Sequence, residues 1–140
     1  MNIMEWVLMV ITVLCWGVSP LLEKEALRRV GPLNGLFIRN LTIFLFFLFY
    51  FFCSGRLKEV ANVSGKEVIL FAISGVLAGF LGMYTYFTLL KTAPVSKIVP
   101  LVSTYPLITA ILGMCILNEE VSLARILGIV LIITGVFLVK

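Results

Sequence analysis

The side chains able to do chemistry in this sequence are few, and most stand in or beside apolar stretches. Lys24 and Arg39 are cations in such positions, and Tyr84, Tyr86, Ser103 and Tyr105 bring hydroxyls. Pro20, Pro100 and Pro106 remove backbone donors in the same neighbourhoods. A membrane disfavours charge, proline and tyrosine at depth, so such residues usually face a cavity or another helix. The chemistry they offer is charge recognition and hydrogen bonding. All seven acids are Glu, and there is no His. Histidine proton relays, His-metal sites and Ser-His chemistry are therefore excluded. Only Glu and Lys offer acid–base groups, and no paired-carboxylate or nucleophile–base constellation appears. The expectation is a chain that is not an enzyme, with no cofactor and no metal.

These residues are positioned by five apolar runs: Ile3–Leu22, Leu33–Cys53, Val68–Leu90, Val95–Leu117 and Leu123–Val139. A helix needs about 17–25 apolar residues to cross the hydrocarbon core, and all five qualify, the last only just. Of the 140 residues, 61% are hydrophobic, which places the chain in the membrane class. The connectors are short and leave no room for a soluble domain. The net charge of +4 fits loop residues near lipid headgroups, not a nucleic-acid partner. Cys15, Cys53 and Cys115 fall in or beside apolar runs without C-x-x-C spacing and read as small hydrophobes. The first residues carry no Lys or Arg and no small-x-small cleavage site follows, so the first run is expected to be a retained helix.

Each run holds a polar feature with two readings. Pro20 takes the usual partner from the carbonyl of Trp16. It either ends the first helix beside an interfacial Trp or kinks it into a polar pocket with Lys24 reaching back. Arg39 sits just inside the second run, among seven of the eleven Phe residues, and either snorkels to the interface or faces a cavity. Gly75 and Gly79 form a small-x-x-x-small pair suited to helix packing. Tyr84 and Tyr86 fit an aromatic belt or a binding wall. In the fourth run Ser96, Ser103, Pro106, Ala110 and Gly113 share one face at spacings of seven, three, four and three. Packing suits Ala110 and Gly113, and a polar pocket suits Pro100, Ser103 and Tyr105. Gly128 and Gly135, seven apart, mark a helix seam. Glu119 is either a solvated turn residue or part of a gate.

With a cytoplasmic N-terminus, Arg56, Lys58, Lys66 and Arg125 would lie inside. Lys24, Arg28, Arg29, Lys91, Lys97 and Lys140 would lie outside. The positive-inside rule wants the excess inside, so this small opposite bias selects neither orientation.

Taken in order, Trp16-Gly17 with Pro20, Lys24 in Glu-Lys-Glu-Ala-Leu, Arg39, and Tyr86 with Lys91 form a pattern. Tyr105-Pro106, Glu119 in Leu-Asn-Glu, Gly128 and Gly135 complete it. This pattern resembles the EamA-like domain of the drug/metabolite transporter superfamily, over essentially the whole chain. Many relatives carry Gly where this chain has Asn118. The resemblance implies an all-α integral membrane bundle of five transmembrane helices, residues 1–140 forming one EamA-type repeat like the short single-domain members. It implies transport of a small metabolite, amino acid-like or drug-like compound, by efflux or exchange, through a cavity between repeats. The second repeat is then expected from another chain, as a homodimer or a heterodimer with a related five-helix protein, working by alternating access. Lys24 and Arg39 are the expected charged partners of an anionic or zwitterionic substrate. Trp16, Tyr84, Tyr86, Ser103 and Tyr105 supply walls and hydroxyls, and Pro20, Pro100 and Pro106 shape the cavity. Glu119 is the possible gate, and Gly75, Gly79, Gly113, Gly128 and Gly135 pack helices. The expected location is the lipid bilayer of a prokaryotic inner or plasma membrane, as a multi-pass protein. Two other readings stay open: a non-transporting accessory membrane subunit, and a component of a lipid-linked sugar flippase.

Overall fold

A computed structural model describes residues 2–118 and 122–138, and every regular element among them is helical. The chain divides into two compact units, Met1–Thr92 and Ala93–Lys140.

In the first unit, α1 (Ile3–Leu27) opens on a capping box. The Asn2 carboxamide accepts from the Glu5 N–H at 2.8 Å, and the Glu5 carboxylate accepts from the Asn2 N–H at 3.0 Å. The helix then runs through Pro20 and ends five residues beyond the expected Leu22. Pro20 therefore does not end α1. Glu23, Lys24, Ala26 and Leu27 favour helix, which carries the element past the apolar run. α2 (Pro32–Ser54) begins with Pro at a position where its missing N–H is no loss. It stops at Gly55, whose φ of 67° is open to glycine. A short α3 (Leu57–Ala61) follows, with Arg56 Nε 3.0 Å from a Glu59 carboxylate oxygen.

The third apolar run forms one continuous helix, Gly65–Thr92, longer at both ends than the expected Val68–Leu90. It comprises α4 (Gly65–Ser74), a π-helical segment (Gly75–Gly82) and α5 (Met83–Thr92). The core of this unit is small and sits where α1, α2 and α5 meet. Leu27, Leu36, Phe87 and Leu90 are buried there. Gly35 permits that closeness, because a Cβ at this position would stand 3.5 Å from Leu27 and 3.7 Å from Phe87. Away from this point the helices show apolar side chains outward, among them Trp6, Leu8, Phe46, Phe49 and Phe71. Contiguous apolar surface of this kind suits lipid contact.

The second unit contains α6 (Val95–Val102), α7 (Tyr105–Leu117) and α8 (Leu123–Leu138). The fourth apolar run is thus broken at Ser103 and Thr104. Pro106 cannot serve the carbonyl of Val102. The hydroxyls of Ser103 and Thr104 turn back to the carbonyls of Val99 and Leu101 at 2.8 and 2.9 Å. α7 ends on Asn118, in the left-handed conformation at φ 52°, ψ 36°, with its N–H on the Gly113 carbonyl. Glycine and asparagine are the residues that tolerate this cap.

Among the described residues, four helices are long and apolar enough to cross a membrane: Ile3–Leu27, Pro32–Ser54, Gly65–Thr92 and Val95–Leu117. α8 is apolar but shorter, at 16 residues, and Val139, the expected last residue of its run, lies outside the described residues. Of the glycines expected to pack helices, Gly113 is buried. At Gly75, Gly79, Gly128 and Gly135 an added Cβ would meet no described atom within 4 Å.

Candidate functional site

The polar residues of the first unit fall into two groups, set by helical periodicity on α1. Ser19, Leu22, Glu23 and Ala26 share one face at i, i+3, i+4 and i+7, and Val30 follows just past the helix end. On α2, Gly35, Ile38 and Arg39 repeat the same pattern. These two faces line an open cleft of about 340 Å³ that Phe87 of α5 helps to wall. Volumes of about 300–1,000 Å³ are usual for small-molecule sites.

Three polar side chains stand in this apolar cleft. The Glu23 carboxylate accepts a hydrogen bond from the Ser19 hydroxyl at 3.1 Å. The same oxygen, Oε1, lies 3.6 Å from Arg39 Nε. The Glu23 side chain is 12% exposed and that of Arg39 38%. The carboxylate is thus held deep, while the guanidinium reaches out. At 3.6 Å the contact through Nε is an ion pair and not a close bidentate clamp, the geometry in which Arg holds a carboxylate most firmly. Tyr86 is half-buried on α5.

Lys24 is the immediate neighbour of Glu23 but does not line the cleft. Its ammonium donates to the carbonyl of Leu90 at 2.6 Å and to that of Lys91 at 3.3 Å. Those carbonyls belong to the last turn of α5, where helix geometry leaves acceptors unserved and the macrodipole is negative. Lys91 returns the contact, donating to the Val30 carbonyl just past the end of α1 at 3.0 Å. Two parallel helix ends thus exchange lysines.

The other expected site residues of this unit do not line the cleft. Trp16 is 67% exposed and Pro20 is buried within α1. Tyr84 is exposed. In the second unit Pro100 is half-buried and Ser103, Tyr105 and Pro106 are exposed. Glu119 lies outside the described residues. Among the described residues no group of His, Cys, Asp or Glu could hold a metal ion. Sequence reasoning selected Arg39 and missed its companions Ser19 and Glu23. The signal was their spacing of four on one helical face.

Apolar helices of spanning length, carrying an ion pair in an apolar cleft, are the setting in which a family likeness decides the reading. The pattern of the EamA-like transporter family matches residues 4–140. The chain belongs to the EamA-like transporter family. It is an integral membrane protein by that membership and by its spans. It is similar to an uncharacterized transporter of Archaeoglobus fulgidus, with 26% identity over 128 residues, 90% of this chain and 44% of that protein. It is also similar to an uncharacterized protein of Methanocaldococcus jannaschii, with 35% identity over 79 residues, 56% of this chain and 57% of that protein. The chain spans about half the length of these curated relatives. No solved structure matches.

Proposed function

We propose that this EamA-family chain is one five-span repeat of a small-molecule transporter, and that the α1–α2 cleft forms part of its substrate path. The supporting observation is the Glu23–Arg39 pair. An ion pair inside a membrane helix bundle is unfavourable unless it is used or compensated, and intramembrane charges usually mark substrate or ion routes. Here the pair stands in an apolar cleft of ligand size. Arg39 is the partner of an anionic or zwitterionic end of a metabolite, amino acid-like or drug-like compound. Tyr86 adds a hydroxyl near the same place, and Trp16, Pro20 and Tyr84 shape the outer wall. Pro100, Ser103, Tyr105 and Pro106 belong to the path on the second unit, and Glu119 to its gate. Lys24 enters this reading as the group that holds α5 in place.

In this reading α8 supplies the fifth span, and a second five-helix repeat, from another copy or a related chain, completes the cavity. The glycines at 75, 79, 128 and 135, open to contact, are the seams offered to it. The two repeats rock about the site by alternating access in the plasma membrane, and the result is export or exchange.

The test is flux of a metabolite panel in vesicles containing the purified protein, beside protein-free vesicles and an Arg39→Ala sample. The expected result is flux of at least one charged compound that needs both the protein and Arg39. Absence of flux for every compound, from correctly inserted dimers, favours the accessory-subunit reading.

A further inference from the structure

We propose that the π-helical segment Gly75–Gly82 is a hinge about which α4 turns against a fixed block of α1, α2 and α5. The block is fixed by what is buried in it. Leu27 of α1, Leu36 of α2, and Phe87 and Leu90 of α5 are buried together in this unit. The exchanged lysines add three charge-assisted bonds across α1 and α5. α4 buries none of its residues, and its main contact is with the π segment itself.

The segment between them has the makings of a joint. π-helical turns pair residue i with i+5, are rare, and are frequently found at functional sites. This one spans eight residues and contains Gly75, Gly79 and Gly82. Among the described residues of this chain, no atom stands within 4 Å of a Cβ built at Gly75 or Gly79. At Gly82 a Cβ would stand 3.1 Å from the Leu77 carbonyl oxygen, five residues back, so a larger residue there requires the wide turn to give by a few tenths of an ångström. Just beyond, the Thr85 hydroxyl donates to both the Leu81 and Gly82 carbonyls, at 3.0 and 2.9 Å. Back-bonding of this kind bends helices.

Return of one turn to α geometry shifts the register by a residue, which is about 100° of rotation and about 1.5 Å of rise. Such a turn changes which residues of α4 face a neighbouring repeat. The Glu23–Arg39 cleft, built wholly from the block, keeps its shape throughout. The hinge depends on the transport reading for its purpose, not for its existence.

Spin-label distances in lipid nanodiscs test this, with Cys15, Cys53 and Cys115 replaced by serine. Ile69→Cys with Leu89→Cys reports across the segment, and Leu21→Cys with Leu89→Cys reports within the block. All three sites are exposed. The expected outcome is a broad or two-peaked distribution across the segment and a single narrow one within the block. Gly82→Ala should collapse the first to one narrow peak and leave the second unchanged. If Gly82→Ala does not fold, Gly75→Ala replaces it, because its Cβ meets no neighbour and alanine favours α geometry. A cross-segment distribution as narrow as the block's in the parent protein overturns the hinge, as does breadth unaffected by the alanine variant used. Absence of flux from the parent protein with the distances as expected counts against the transport reading alone.

Discussion

Glu23 and Lys24 are adjacent in sequence, about 100° apart on one helix, and they serve different regions. Glu23 turns into the cleft, where Ser19 and Arg39 meet its carboxylate. Lys24 turns toward α5, where it meets carbonyls of the last helical turn. The Lys24 contacts join a side chain to the fixed backbone of a neighbouring helix and pin the two together. The Glu23–Arg39 contact joins two side chains at 3.6 Å beside an open volume, and in the proposed reading a ligand takes over either partner. A charge in a membrane helix is therefore not by itself a substrate contact. What it faces decides whether it is part of the frame or part of the site.

The comparison breaks most visibly at Arg39. Arg39→Ala should lower flux per folded protein by about tenfold or more, the scale of one lost charge-assisted hydrogen bond of about 1.5–3 kcal/mol. Glu23→Gln in the same background removes the charge left without its cationic partner, so any folding defect of Arg39→Ala should be relieved while the flux defect remains. Recovery of flux in the double variant would move Arg39 from the site into the frame.

Lys24→Ala should act mainly on stability. Loss of its bonds to α5 should lower the folded state by about 1.5 kcal/mol, the low end of the range for charged donors because the contact is part-exposed. In a domain of this size that is roughly 3–6 °C in thermal midpoint, read by a heating scan in detergent. Flux per folded protein should stay within about twofold, below the factor of ten that 1.4 kcal/mol would give. An unchanged midpoint with flux strongly reduced would erase the distinction and place both cations on the substrate path.

The smallest effect is expected at Ser19. Its hydroxyl orients Glu23 through one hydrogen bond of 3.1 Å. Ser19→Ala should weaken apparent substrate affinity by about two- to fivefold, the scale of a neutral hydrogen bond worth about 0.5–1 kcal/mol. The concentration dependence of flux measures it. An effect as large as that of Arg39→Ala would make Ser19 a direct ligand contact.

Much of the fold was legible in the sequence. Apolar run length located the helices, because the bilayer sets that length physically. The helix ends were less legible. α1 continues to Leu27 because charged residues such as Glu and Lys form helix as readily as apolar ones. The break at Ser103 followed from Pro106, yet the run stayed apolar across it. The π segment left only a scatter of glycines, which reads equally as a packing face. In the site, Arg39 stood out as a lone charge among phenylalanines. Glu23 did not, since it lies at the end of its run among other charges and reads as solvated. The role of Lys24 depends on a carbonyl 66 residues away, which no local pattern carries.

The central claim is that the α1–α2 cleft lies on the substrate path. Ala26 lines that cleft and is exposed. Arg28, at the same end of the molecule, is paired with Glu25 outside it. The direct measurement is the rate of thiol labelling at Ala26→Cys and at Arg28→Cys, in a background with the native cysteines replaced, with and without the compound that the vesicle panel identifies. The account predicts that the transported compound slows labelling at Ala26→Cys severalfold and leaves Arg28→Cys unchanged. Equal labelling at Ala26→Cys with and without that compound would contradict it.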